Sequence, residues 1–166
     1  MKISQLLLAV FMLIISHNLR ANDYEDARKA RADGDEKTAF NKFLIGATKG
    51  DSAAQIMVSS YYFWGMGVLK NYEKALYWAK KSAQNGHELA QYDLANMYMN
   101  GWGTLKDNVK AYMWFNIASN NDFLRKFGPN AERARDILEA KMTSDEVLRA
   151  QRLAQICLDS NYAKCD

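Results

Sequence analysis

The sequence predicts an all-α protein, an α/α solenoid of stacked helical repeats closed by a C-terminal pair of capping helices. Three observations predict it. First, the stretch from Gly50 to Asn85 is echoed from Gly86 to Asn121, with 12 of 36 aligned positions identical. A period in this range belongs to stacked supersecondary units. Second, apolar residues recur at helical spacing in both copies, as Ala54, Val58 and Tyr62, then as Ala90, Leu94 and Tyr98. Third, each copy breaks at a Gly-x-Gly loop, Gly65–Gly67 and Gly101–Gly103, and resumes at a helix-capping residue, Asn71 or Asp107.

Residues 1–21 read as a secretory signal peptide. Lys2 supplies the positive start, Leu6 to Ile15 is an unbroken apolar run, and Ala21 precedes the expected cut. The run is shorter than the ~20 residues a membrane span needs. The expected location is therefore the periplasm or the exterior, without membrane insertion after cleavage; an uncleaved anchor is the alternative. Lys2 and Arg20 are the basic residues of this segment, which has no acidic ones, so a formal charge of +3 falls to +1 in the remainder. Acidic and basic residues interleave throughout, without the basic stripe a nucleic-acid binder shows.

Residues 22–121 hold the repeats. Residues 22–49 are a degenerate first copy with a shortened loop: Ala39, Ala47 and Gly50 fall one period before Ala75, Ala83 and Gly86. An end unit has one neighbour to pack on and tolerates such decay. Residues 50–85 and 86–121 are the full copies. Their first helices begin with small residues, Ala54 and Ala90, which admit a close partner helix. Their second helices carry Ala75, Trp78, Ala79 and Ser82, then Ala111, Trp114, Phe115 and Ala118, at i, i+3, i+4 and i+7. The recurrence of Trp78 and Trp114 places both in the core.

Residues 122–166 form the cap and tail. Asp122 stands where a glycine is expected, and Phe123 to Asn130 is expected to be an irregular connector. A helix follows from about Ala131 to Met142. Thr143 and Glu146 make a capping box for a last helix running to about Leu158. The chain has two cysteines, Cys157 and Cys165. In an exported protein a disulfide is the expectation and free thiols the alternative.

The combination of small-to-large helix, Gly-x-Gly loop, Asn/Asp cap, Lys-Ala-x-x-Trp helix and 36-residue period resembles the Sel1-like repeat family. Ala54, Val58, Tyr62, Gly65, Gly67, Asn71, Lys74, Ala75 and Trp78 carry the match in one copy. Ala90, Leu94, Tyr98, Gly101, Gly103, Asp107, Lys110, Ala111 and Trp114 carry it in the next. The resemblance implies a right-handed superhelix related to tetratricopeptide arrays, no common active site, and a role in binding a protein or peptide, often in signalling or envelope processes. Two alternatives stand beside this reading. One is a weak β-lactam-binding or hydrolysing enzyme, by likeness to cysteine-rich secreted relatives. The other is a structural subunit of an envelope complex.

Catalytic and cofactor motifs find little support. His87-Glu88 lacks the second histidine of a zinc protease, position 91 being Gln. Gly101-Trp102-Gly103 lacks the spacing and Lys-Ser/Thr of a phosphate loop, and its recurrence at Gly65 and Gly67 marks a structural turn. Nucleophilic catalysis needs a base beside the nucleophile, and His87 is the single histidine beyond the signal. No catalytic residue, metal ligand or cofactor is expected. The candidate binding residues are large ones that differ between the copies near helix ends and loops: Tyr61, Phe63, Trp64 and Met66 in one, Met97, Asn100 and Trp102 in the other. Repeat-constant positions build the stack, whereas variable ones are free to face outward. Filling gaps between repeats is the competing role.

Overall fold

The computed structural model describes residues 24–165; the expected signal peptide lies outside them. Nine helices follow one another among the described residues. They are α1 (24–32), α2 (Glu36–Thr48), α3 (Ser52–Trp64), α4 (Tyr72–Gln84), α5 (Glu88–Asn100), α6 (Asn108–Ser119), α7 (Asp122–Phe127), α8 (Ala131–Glu139) and α9 (Ser144–Asp159). Helices α3 and α4 form one antiparallel repeat and α5 and α6 the next. Contacts of α2 with α3 and of α4 with α5 join the repeats, and α8 and α9 both pack on α6. This is the α solenoid that the period predicts. No helix among the described residues is long and apolar enough to cross a membrane.

The repeat is written in its caps. Asp35, Asn71 and Asp107 stand 36 residues apart, and each side-chain oxygen accepts the backbone N–H three residues on: Thr38 at 3.0 Å, Lys74 at 2.8 Å and Lys110 at 2.9 Å. Gly65 and Gly101 end α3 and α5 in the left-handed conformation, both at φ +74°. The second glycine of each loop does something else. A Cβ on Gly67 would lie 2.6 Å from the Glu36 carbonyl, and one on Gly103 would lie 2.6 Å from the Tyr72 carbonyl carbon. Each loop is thus seated on the first turn of the preceding repeat's second helix, closer than any side chain permits.

Buried polar side chains bind the repeats sideways. Gln55 Nε2 donates to the Ala47 carbonyl at 3.2 Å, and Gln91 Nε2 to the Ala83 carbonyl at 3.5 Å, one period later. Asn85 Nδ2 donates to Gln55 Oε1 at 3.0 Å. Ser59 Oγ donates to the Ala75 carbonyl at 2.8 Å, holding α3 tight against α4. Small residues at the helix contact allow that distance, and the bond uses it.

The apolar core has two main parts. One gathers Phe40, Phe43, Val58 and Tyr61 from α2 and α3. The other gathers Leu94, Met97, Trp114 and Phe115 with Leu138 and Ala154 of the cap. Trp114 is fully buried, whereas Trp78 is half-buried. The difference follows from cover: α6 has both α8 and α9 upon it, while one edge of Trp78 lines a surface cavity.

Two expectations for the C-terminal part need correction. The connector after Asn121 is not irregular. Asn121 Oδ1 accepts from the Phe123 and Leu124 N–H groups at 2.9 and 3.2 Å, starting α7, and Leu124 is buried. Gly128 then adopts an extended conformation before Pro129, which ends the helix. Helix α8 stops at Glu139, three residues early. The capping box forms as expected, with Thr143 N–H donating to Glu146 Oε2 at 2.8 Å and the Glu146 N–H to Thr143 Oγ1 at 3.3 Å. Cys157 and Cys165 are joined in a disulfide that ties the tail to α9.

Candidate functional site

A groove of about 230 Å³ runs between α3 and α5, the first helices of the two repeats. Phe63 and Trp64, at the end of α3, and Trp102, in the loop after α5, form its aromatic wall. Phe63 lies at the centre of that wall, with ring centroids 4.9 Å from Trp64, 4.9 Å from Trp102 and 5.1 Å from Tyr72. The three contacts are edge-to-face, the favoured arrangement for aromatic quadrupoles. Ser59 and Ser60 of α3 and Asp93, Asn96 and Met97 of α5 complete the lining. Trp64 is the conspicuous member, 68% exposed.

Helix geometry explains the assembly. Ser60 and Trp64 are one turn apart on α3, as are Asp93 and Met97 on α5, so each pair shares a helix face. The 36-residue period makes Asn96 the counterpart of Ser60, and Asp93 that of Met57. A charge therefore stands where the other copy has an apolar residue. Asp93 makes no hydrogen bond or ion pair with the described residues. Desolvation by the surrounding groove atoms pushes its carboxyl pKa up, to about 6. Asp93 is nevertheless an exposed residue. Water screens part of the effect, so its direction, towards holding a proton, is what bears on the groove's chemistry.

Of the seven candidate residues, Phe63, Trp64, Met97 and Trp102 meet at the groove, Met97 as a 3%-exposed part of its floor. Tyr61 does not face outward. It is fully buried against Phe40 and Phe43, and its hydroxyl donates to Glu36 Oε2 at 2.6 Å. Met66 is half-buried against the N-terminal core. Asn100 turns its amide back on its own helix, Nδ2 to the Asn96 carbonyl at 2.9 Å. Asp93, Asn96 and the two serines were not singled out from the sequence. The signal for Asp93 was present, since it is a charge at a position that is apolar one period earlier.

A larger cavity, about 370 Å³, lies between Ala47, Gln55, Trp78, Lys81 and Asn85. Two of its amides already engage each other, and Gln55 also bonds the Ala47 carbonyl. The ammonium of Lys81 sits 5.3 Å from the Tyr77 ring centroid. It offers less to a ligand than the groove does. His87 occupies the N-cap position of α5 without a side-chain bond to the helix. Its Nδ1 is buried with no partner among the described residues, and burial pushes its pKa down. No cluster of metal-ligating side chains occurs among the described residues.

Comparison with known proteins fits this architecture. The Sel1 repeat profile matches twice, at residues 52–87 and 89–123. The chain carries two Sel1 repeats. Two solved structures share the fold of this Sel1-repeat protein. One is a protective antigen of uropathogenic Escherichia coli strains displaying an SLR fold, with a TM-score of 0.78 and 29% identity over 87% of the present chain. The chain spans only 32% of that antigen's length. The other is a Sel1 repeat protein from Oxalobacter formigenes, with a TM-score of 0.62, 26% identity, and coverage of 71% of this chain and 88% of that one. No curated protein sequence matches the chain. Sel1 repeats commonly mediate protein–protein interaction.

Proposed function

We propose that this Sel1-repeat protein is a non-catalytic adaptor of the bacterial envelope that binds a protein or peptide in the groove between α3 and α5. One observation carries the reading: an exposed tryptophan, a second aromatic pair and an unpartnered carboxylate converge on one groove. Exposed aromatic surface of this kind marks interaction sites. Export by the N-terminal segment supplies the envelope part. A reporter enzyme active only outside the cytoplasm, fused behind residues 1–21, tests that part.

The binding part is tested by affinity capture from an envelope fraction, with wild-type protein beside Trp64→Ala and Trp102→Ala. A partner retained by wild type and lost from both variants supports the groove. Equal retention by all three removes it. The enzymatic alternative predicts acylation by, or turnover of, a chromogenic β-lactam, and either result would displace the adaptor reading.

A further inference from the structure

We propose that the groove accepts a cationic side chain, a lysine or arginine next to an apolar residue in a bound peptide, with Asp93 as its counter-charge. The proposal rests on the docking reading above and specifies its chemistry.

The walls of the groove carry charge of one sign. Helix α3, from Ser52 to Trp64, has no acidic or basic residue; helix α5 has two acids, Glu88 and Asp93, and no base. Asp93 is the charge that lines the groove, and it has no partner among the described residues. A purely apolar ligand would leave that carboxylate desolvated and unpaired, which is costly. An acidic ligand would meet it as a like charge. A cation resolves both problems.

The aromatics fit the same occupant. Lysines already cover tyrosine faces in this molecule: Lys70 lies 4.6 Å from the centroid of Tyr72, whose ring packs on Phe63 and Trp102 of the groove wall, Lys74 lies 5.3 Å from Tyr62, and Lys110 5.4 Å from Tyr98. Among the described residues no such cation covers Trp64 or Trp102, and the indole is the ring that attracts cations best. A lysine or arginine stem would lie along these rings while its charged head reaches the carboxylate. The groove's volume suits one or two side chains, so the determinant is a short extended segment.

Three capped dipeptides test the proposal: Ac-Leu-Lys-NH2, its uncharged counterpart Ac-Leu-Nle-NH2, and Ac-Leu-Glu-NH2. Each is titrated into 15N-labelled protein while the indole N–H signals are followed. Trp64→Phe and Trp102→Phe assign the two groove signals, and buried Trp114 serves as an internal reference. The lysine probe is expected to shift both groove signals and to bind about fivefold more tightly than the norleucine probe, with the glutamate probe weakest. Asp93→Asn is expected to bring the lysine-to-norleucine ratio to about one, by weakening lysine binding while norleucine binds no more weakly than before. Because Asp93 is exposed and bonds nothing among the described residues, the neutral amide leaves the fold intact, which the indole spectrum itself reports. Equal binding of lysine and norleucine probes, or an unchanged ratio in Asp93→Asn, overturns the cation reading and leaves the docking reading standing. Failure of all three probes to move either groove signal overturns both.

Discussion

Replacing Gly103 with alanine is expected to destabilise the protein by about 2–5 kcal/mol, and the figure can be assembled from two parts. Gly103 has φ +79°, a left-handed conformation that costs an L-residue roughly 1–2 kcal/mol. The added Cβ would also lie 2.6 Å from the Tyr72 carbonyl carbon and nearer still to its oxygen. Those atoms are backbone of the first turn of α4 and cannot rotate aside. The loop must lift from its seat, an overpacking penalty of about 1–3 kcal/mol. Gly50 isolates the first part. Its φ is +90°, and a Cβ there would meet nothing within 4 Å, so Gly50→Ala is expected to cost about 1–2 kcal/mol. Urea unfolding followed by circular dichroism at 222 nm measures both variants. With a slope of about 2 kcal/mol per molar, the midpoints are expected to differ by roughly 0.5–1.5 M. Coincident midpoints would refute the seating argument, because the conformational part is common to both.

Three further outcomes are expected. Gln55→Ala removes a buried amide that bonds both the Ala47 carbonyl and Asn85, and is expected to cost about 2–3 kcal/mol. Gln91→Ala breaks one longer bond at 3.5 Å and is expected to cost less by the same urea measurement; the reverse order would contradict the bonding assigned here. Cys165→Ser opens a loop of sequence separation 8 and is expected to cost about 2–3 kcal/mol. A thermal midpoint insensitive to both the substitution and added dithiothreitol would show that the staple contributes nothing. Asp93 gives a pH dependence. Its raised pKa, about 6, means the native state holds the proton more tightly than the unfolded chain, so the ionised group opposes folding at neutral pH; the penalty, small because the residue is exposed, eases as pH falls below 6 and is gone below the unfolded value of 3.8. The same protonation removes the counter-charge. Affinity for Ac-Leu-Lys-NH2 is therefore expected to fall between pH 7 and pH 5, with Ac-Leu-Nle-NH2 not weakened and Asp93→Asn flat; a flat wild-type profile contradicts the assignment.

The parts of this fold legible in the sequence are those governed by local chemistry. A left-handed glycine, an aspartate cap or a capping box needs only its own few neighbours, and Gly65, Asp107 and Thr143 all behave as their surroundings dictate. The period read the stack correctly but was a poorer guide to exposure. Tyr61 and Met97 differ between copies, yet both are buried. The reason is compensation: Tyr61 packs on Phe40 and Phe43, whereas their counterparts one period on are Leu76 and Ala79. A variable residue can thus face an equally variable neighbour inside the core. The converse exception is Leu69 and Leu105, identical in register and 89% and 88% exposed. Connector helix α7 was illegible because its formation depends on a buried slot for Leu124. The groove was half legible. Its aromatics announced themselves by size, while Asp93 gained meaning only when its missing partner was seen.

The seating of Gly67 on α2 and Gly103 on α4 has a direction. In both cases the receiving helix lies earlier in the chain than the loop that lands on it. A chain that emerges N-terminus first therefore presents each seat before its occupant. Every new hairpin finds a finished template behind it, and none must wait for sequence still to come until the terminal α8–α9 pair closes on α6. The protein can be laid down like courses of brick, each bedded on the last.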